Sequence, residues 1–246
     1  HRPPAVAGLR RPSHPLRLRT RVTRARGCHG RARRAWAPLP MRRSEHKEAD
    51  VAEIATFLQR MSFGYLGTQS ETEYPNIVPL NFVLHAGAVY FHSSRLGQKV
   101  KELKRNNRVT FCVADEVALI PSYFTSDKLA CPATAFFKSV MVYGRAEIVE
   151  EVNEKVAALA AFMQKLQPEG GYAPFDINDD EYRREIKSVL VVKIVPDSIS
   201  AKFKFGQNRN QEEWLRVREG LAARGKPKDG EAVQEMEKRC PFHKGE

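Results

Sequence analysis

The chain has 246 residues and a formal net charge of +12, and that excess is confined to one segment. Residues 1–40 hold eleven of the 41 basic side chains, all Arg, and no Asp or Glu, so the rest carries 30 basic against 29 acidic residues. A strongly basic globular domain is thereby excluded, and a nearly neutral body of about 200 residues is long enough to bury a full core.

Residues 1–40 are rich in Arg, Pro and Ala, with six of the fifteen prolines and no helical or strand period. Such a segment cannot bury enough apolar surface to offset its ordering entropy, and it reads as a disordered leader. Three roles stay open for it: an upstream extension ahead of Met41, an organelle transit peptide, or an arm for nucleic acid or membrane. No apolar stretch suited to a secretory signal follows the arginines, and no run is long enough to span a bilayer. The four cysteines, Cys28, Cys112, Cys131 and Cys240, form no C-x-x-C pair. A reducing, cytoplasmic setting is expected, without a disulfide framework or a metal site.

The first patterned segment is 47–61, where Val51, Ile54, Ala55, Leu58 and Met61 recur at helical spacing after a capping-box-like Asp50 and Glu53. Strand-like runs follow at 63–68, 76–84 and 88–93, with His85-Ala86-Gly87 as a hairpin turn between the last two. A short basic helix is expected over 97–105. Strands are expected at 108–114 and at 137–149, where Gly144 marks a bend or bulge. A helix over 151–166 places Val152, Val156, Leu159, Ala160 and Met163 on one face. Strands at 188–196 and 199–205 and a helix over 210–223, with Trp214, Leu215, Val217 and Leu221, complete the body. Residues 225–246 read as a loose polar tail. Many short strands with few helices predict a mainly β fold, an antiparallel barrel or sandwich with flanking helices. The glycine-rich nucleotide loops and the G-x-S-x-G elbow are absent. No helix-turn-helix is visible, so the body is not expected to bind nucleic acid.

The most informative stretch is AVYFHSSRLGQKVKELKR, residues 88–105. An apolar strand ends in His92-Ser93-Ser94, a loop with Gly97 follows, and Gln98-Lys99 open a helix. A helix start offers free N–H groups and partial positive charge, glycine permits close approach, and Lys99 adds a full charge, which together suit a phosphate. A plain strand-to-helix turn with a solvated basic face accounts for the same residues, and the residues alone leave both readings open.

The order of these segments, FGYLGT, YPNIVPLNFVL, AVYFHSSRLGQKVKELKRNNRVTFCV and FKSVMVYGRAEIVE, resembles the FMN-binding split-barrel superfamily of pyridoxamine-5′-phosphate oxidase. Within it, the chain is most similar to the branch of nitroimidazole-resistance and flavin-nucleotide-binding proteins. The resemblance spans roughly residues 47–205. It implies a six-stranded antiparallel split barrel over 41–224 and a homodimer with FMN at the interface. By the same resemblance, Asn76, Val78, Pro79, Leu80 and Asn81 line the flavin ring, and Phe91, His92 and Ser93 flank the ring and ribityl chain. Gln98 and Lys99 hold the phosphate, and Ser139 contributes from a neighbouring strand or from the partner subunit. His92 is the candidate catalytic residue, against the plainer reading of a hydrogen-bonding histidine at a strand end.

Two features depart from the oxidase pattern. The oxidase proper carries an Arg-x-His after a C-terminal Trp to grip pyridoxal, and Trp214 here is followed by none. Vitamin B6 oxidation is therefore not expected. Second, KFKFGQNR at 202–209 resembles a segment of other flavin-binding split barrels, where Lys202, Lys204 and Arg209 would sit near the flavin or a substrate anion. Its plain alternative is a lysine-guarded edge strand. The leading expectation is an FMN-dependent oxidoreductase acting on a small electron-poor substrate such as a nitroaromatic, with NAD(P)H as donor. A non-catalytic flavin-binding module or regulator and a haem-binding split barrel are the alternatives.

Overall fold

A computed structural model describes residues 41–242, and within them the chain forms eight strands and six α-helices. The strands are β1 (Lys47–Glu48), β2 (Phe63–Thr68), β3 (Asn76–Asn81), β4 (Val83–His85), β5 (Ala88–Ser93), β6 (Arg108–Ile120), β7 (Thr134–Ile148) and β8 (Leu190–Lys204). The helices are α1 (Val51–Arg60), α2 (Gln98–Arg105), α3 (Val152–Leu166), α4 (Asp180–Ser188), α5 (Gln211–Arg224) and α6 (Asp229–Lys238). The leader 1–40, Cys28 and His243 lie outside the described residues.

All pairings are antiparallel, in the order β3-β2-β6-β7-β8-β5-β4, with β1 added beside β8. The two end strands of this sheet, β3 and β4, are separated in sequence by Phe82 alone. One residue cannot bridge the edges of a flat seven-strand sheet, so the sheet curls until its edges meet. Phe82 is fully buried at that seam, edge-on to Phe111 with ring centroids 5.0 Å apart. The result is a split barrel with flanking helices, as expected.

The strand count differs from the expected six. The run 76–84 divides at Phe82, and the two runs 188–196 and 199–205 fuse into one strand. Tyr143 pairs with Ser198 and Gly144 with Pro196, which leaves Asp197 as an extra residue in β8. A bulge tolerates a proline that lacks an N–H, so Pro196 does not end the strand. Gly144 is required opposite it, because a Cβ there would lie 2.3 Å from the Val195 carbonyl oxygen. The hairpin turn is confirmed: Ala86 and Gly87 both take positive φ, 47° and 77°, and His85 pairs with Ala88.

Inward-facing alternation builds the core from Phe111 and Val113 of β6, Phe136, Val140 and Val142 of β7, and Phe203 of β8. Each such side chain contributes about 1.5–3 kcal/mol by leaving water. Asp50 caps α1 by accepting from the Ala52 and Glu53 N–H groups. The second half of the capping box does not form: the Asp50 N–H donates to Glu48, and the Glu53 carboxylate turns to Lys238 and Arg239.

Three expectations about helices are corrected. In α1 the expected face holds, with Leu58 buried and Ile54 and Met61 packed against the core, but Phe57 joins it and Val51 is exposed. In α3 the buried face is Lys155, Ala158 and Phe162, rotated from the expected stripe, because the Lys155 ammonium finds the carbonyls of Ile186 and Val189. The tail at 225–246 contains α6, whose Ala232 and Met236 are fully buried. Ion pairs Lys138–Glu235 at 2.6 Å and Arg239–Glu48 at 2.8 Å bind α6 to the barrel. No helix among the described residues is long and apolar enough to cross a membrane.

Candidate functional site

β5 carries four buried residues, Ala88 to Phe91, before His92 emerges exposed and Ser93 half-buried at the strand end. The following loop is pinned by Arg95, whose guanidinium donates to the Lys187 and Ser188 carbonyls at 2.8 and 3.1 Å. Gly97, with φ of 130°, then opens α2. This helix has no side-chain cap and no acidic residue in its first turn, so its leading N–H groups keep their donor capacity and partial positive charge.

Lys99 stands in that first turn. Its ammonium lies 5.3 Å from the Phe91 ring centroid, and burial pushes its pKa down. No carboxylate among the described residues pairs with it. The His92 ring packs edge-on against Phe162 at 5.1 Å. Partial desolvation of this otherwise exposed ring, and secondarily the Lys99 charge, hold the His92 imidazole below its usual pKa. The structure therefore gathers an unpaired cation, a histidine and an open helix start in one place.

β3 approaches β5 across the barrel seam without pairing with it, while its other edge bonds to β2. The edge of β3 that faces β5 makes no strand pairing among the described residues. Along β3, Leu80 is buried and Val78 half-buried, while Pro79 and Asn81 are exposed. Asn81 is tied back, its amide donating to the Ser62 carbonyl at 3.0 Å.

Sequence reasoning missed Glu102. It is 2% exposed and accepts hydrogen bonds from Thr68 Oγ1 at 2.6 Å, Asn76 Nδ2 at 3.0 Å and Gln98 Nε2 at 2.8 Å. Burial alone would raise its carboxyl pKa, and the three donors together outweigh that and hold it down. This carboxylate fastens α2 to the end of β2 and the start of β3, which sets the geometry of the seam. Gln98 and Asn76, expected as cofactor contacts, direct their amides to Glu102. The signal was present in the i, i+4 spacing of Gln98 and Glu102, hidden in a run of lysines that resembles a solvated face.

Ser139 is not brought to this group within the chain. It sits on β7 between Ala114 and Lys202 and faces outward. His92 pairs with Val191, and from Val191 to Lys202 β8 runs roughly 35 Å at the usual rise per residue. Lys202, Lys204 and Arg209 likewise gather at the far end of β8. Trp214 is in the core at 3% exposure, with its Nε1 buried and unpartnered.

The sequence profile of pyridoxamine 5′-phosphate oxidase matches residues 50–203. The chain belongs to the pyridoxamine 5′-phosphate oxidase family. Among solved structures, a flavocytochrome of Azotobacter vinelandii aligns with a TM-score of 0.57 at 20% identity, over 72% of this chain and 78% of that one. A FAD and haem binding protein of Mycobacterium smegmatis gives 0.57 at 13% identity, over 74% and 80% of the two chains. A candidate 5-nitroimidazole antibiotic resistance protein of Bacteroides thetaiotaomicron gives 0.53 at 22% identity, over 63% and 85%. At these identities the likeness is one of fold. No curated protein matches the chain. The family's matched span ends at Phe203, so α5 and α6 lie outside it.

Proposed function

We propose that this family member is an FMN-dependent oxidoreductase that holds its cofactor in the seam between β3 and the β5–α2 turn and reduces a small electron-poor substrate, such as a nitroaromatic. The observation that carries this reading is Lys99: a partly desolvated ammonium without a carboxylate partner, at an uncapped helix start, beside His92. A cation so placed lacks its counter-ion, and a phosphate monoester supplies one.

FMN, when bound, supplies the redox chemistry, and the protein supplies position and electrostatics. Lys99 and the first N–H groups of α2 take the phosphate. The backbone of β3, residues 76–81, would line the flavin ring. His92 holds a proton at a ring nitrogen for delivery to the reduced substrate. Burial is the larger cause of the lowered His92 pKa, and a phosphate near Lys99 would offset the smaller one, the Lys99 charge.

The outward sheet face exposes Phe63, Tyr65, Ile77 and Met141, and a second copy of the chain is the partner proposed to cover it. Ser139 lies on this same face beside Met141, which supports its reaching a flavin as the partner subunit's contribution. NADH or NADPH is the proposed electron donor and the cytoplasm the proposed setting.

The test is the visible absorbance of the purified protein, followed by anaerobic bleaching with NADH or NADPH and reoxidation by a nitroaromatic. Oxidised-flavin bands with both steps support the enzyme. Bands without turnover reduce it to a binding module, and a Soret band assigns haem instead. A colourless protein that FMN fails to reconstitute overturns the proposal.

A further inference from the structure

His92 leaves β5 without a polar hold. Among the described residues neither of its ring nitrogens makes a hydrogen bond, whereas His46 is held through Nδ1 by Gln207 Oε1 at 3.1 Å. A histidine that handles a proton is ordinarily oriented by an acceptor on its second nitrogen. Here the contact is aromatic: the Phe162 ring meets the imidazole at 5.1 Å with an interplanar angle of 81°. Edge-to-face pairs of this kind follow the ring quadrupole and are therefore directional. The cross-strand partner of His92 on β8 is Val191, and the charge acting on its ring comes from Lys99 of α2.

Phe162 is placed to act as a fixed wall. It is buried, on one face of α3 with Lys155 and Ala158. The helix is fastened at both ends. In its first turn Glu154 accepts from Tyr90 Oη at 2.9 Å and from Lys193 Nζ at 3.1 Å. In its last turn Lys165 donates to the Leu58 and Phe82 carbonyls, both at 3.2 Å. Tyr90 lies two residues before His92 on the same face of β5, so the helix that carries the wall is bonded to the strand that carries the imidazole. Packing against such a wall restrains the ring without using either nitrogen, and both are left for a ligand.

We propose that Phe162 is the positioning residue for His92: its ring, in edge contact and in place of a hydrogen bond, holds the imidazole in the orientation from which a ring nitrogen delivers its proton. The delivery of the proton rests on the flavin reading. The hold of Phe162 on the ring does not, and the two are measured apart. A proton donor works only within hydrogen-bond reach of its target, so a ring set free should slow the chemical step and leave substrate binding as it was.

The first measurement is made by NMR on the unaltered full chain without cofactor, and needs no variant to fold. Cross-relaxation between the His92 and Phe162 ring protons should be present, and His92 should titrate below its ordinary 6.5. Phe162→Leu keeps an apolar side chain but lets water reach the imidazole, so the His92 midpoint should rise, while Phe162→Tyr keeps the ring and should keep the parent midpoint. A residue that served the core alone would change stability and leave that midpoint where it is. With FMN, NADH and nitrobenzene, Phe162→Leu should lower kcat about tenfold at unchanged KM, and the alkaline fall of kcat should move up in pH with the midpoint. Two results overturn the proposal: no ring cross-relaxation in the unaltered protein, or a folded Phe162→Leu whose His92 titrates as in the parent. A moved midpoint with unchanged kcat, or in a protein that binds no flavin, supports the hold of Phe162 and overturns the proton role of His92.

Discussion

Asn76 donates its side-chain amide to Glu102 Oε2 at 3.0 Å, and that bond ties the first residue of β3 to the helix that follows β5. With Thr68 and Gln98 on the same carboxylate, the barrel seam is held by one acidic side chain. Glu102→Gln keeps the shape but sets an amide NH2 either against Gln98 or against Thr68 and Asn76, which share the other oxygen. It should destabilise the fold by about 1–3 kcal/mol and loosen α2. Urea denaturation measures the first effect, and hydrogen exchange of the α2 amides the second. The folded-state pKa of Glu102 is depressed, so its contribution is present above the ordinary carboxylate range and is lost as pH falls through the folded value. The variant should therefore lose less stability than the parent over that acid range.

Among the described residues Lys99 makes no ion pair, and its ammonium lies over the Phe91 ring, so its replacement should leave the fold intact. Lys99→Ala is expected to weaken FMN binding by roughly tenfold to a hundredfold, the range of a charge-assisted contact to phosphate. Riboflavin, which has no phosphate, should bind both proteins equally. Fluorescence titration with each ligand separates the two effects, and an equal loss for both would move the phosphate away from Lys99.

The barrel was legible because its strands carry the period of two, and because the 85–87 turn and Gly144 are backbone requirements written in single residues. The placement of His92, Gly97 and Lys99 was legible for a related reason: strand end, glycine and helix start are local and follow from order along the chain. Glu102 was not legible, since its role depends on Thr68 and Asn76, which only the closed sheet brings to it. Pro196 read as the end of a strand because its bulge partner, Gly144, is distant in sequence. α6 was missed because Ala232 and Met236 are two apolar positions among charges, and their burial depends on ion pairs to β1 and β7.

Met236 tests that last point directly. A methionine in a loose tail would tolerate truncation without cost, whereas this one is fully buried against the barrel. Met236→Ala should cost about 2–5 kcal/mol, the usual range for emptying a core position. Thermal unfolding reads the loss, and a change within a few tenths of a kcal/mol would return residues 225–242 to the tail first expected.

Gly144 faces the bulge at Asp197 with no space for a side chain. A Cβ would fall 2.3 Å from Val195 O and 3.0 Å from its carbonyl carbon, and both are backbone atoms that cannot swing aside. Gly144→Ala should therefore part β7 from β8 locally and cost about 1–3 kcal/mol or more. Loss of hydrogen-exchange protection should be centred on residues 143–146 and 195–198. A Gly67→Ala control meets the Thr110 carbonyl oxygen at 3.3 Å and the Thr110 Cβ at 3.9 Å and should cost less.

Lys165 offers a test by pH. Its ammonium donates to the Leu58 and Phe82 carbonyls, both at 3.2 Å, and lies 4.3 Å from the Phe82 ring centroid. Burial pushes its pKa down from 10.5 to about 8. The folded chain thus releases this proton at a lower pH than the unfolded chain does. Between about pH 8 and 10.5 the unfolded state binds more protons, so stability from this group rises with pH across that window. Below pH 8 the penalty for keeping the charge is present in full. Lys165→Met removes the titration, so the stability of the parent relative to the variant should climb between pH 8 and 10.5 by on the order of 1–3 kcal/mol. Denaturant midpoints for both proteins across that range supply the measurement. A pH-independent gap between them would mean that Lys165 titrates at its ordinary value, and that the seam beneath Phe82 is wetter than its packing implies.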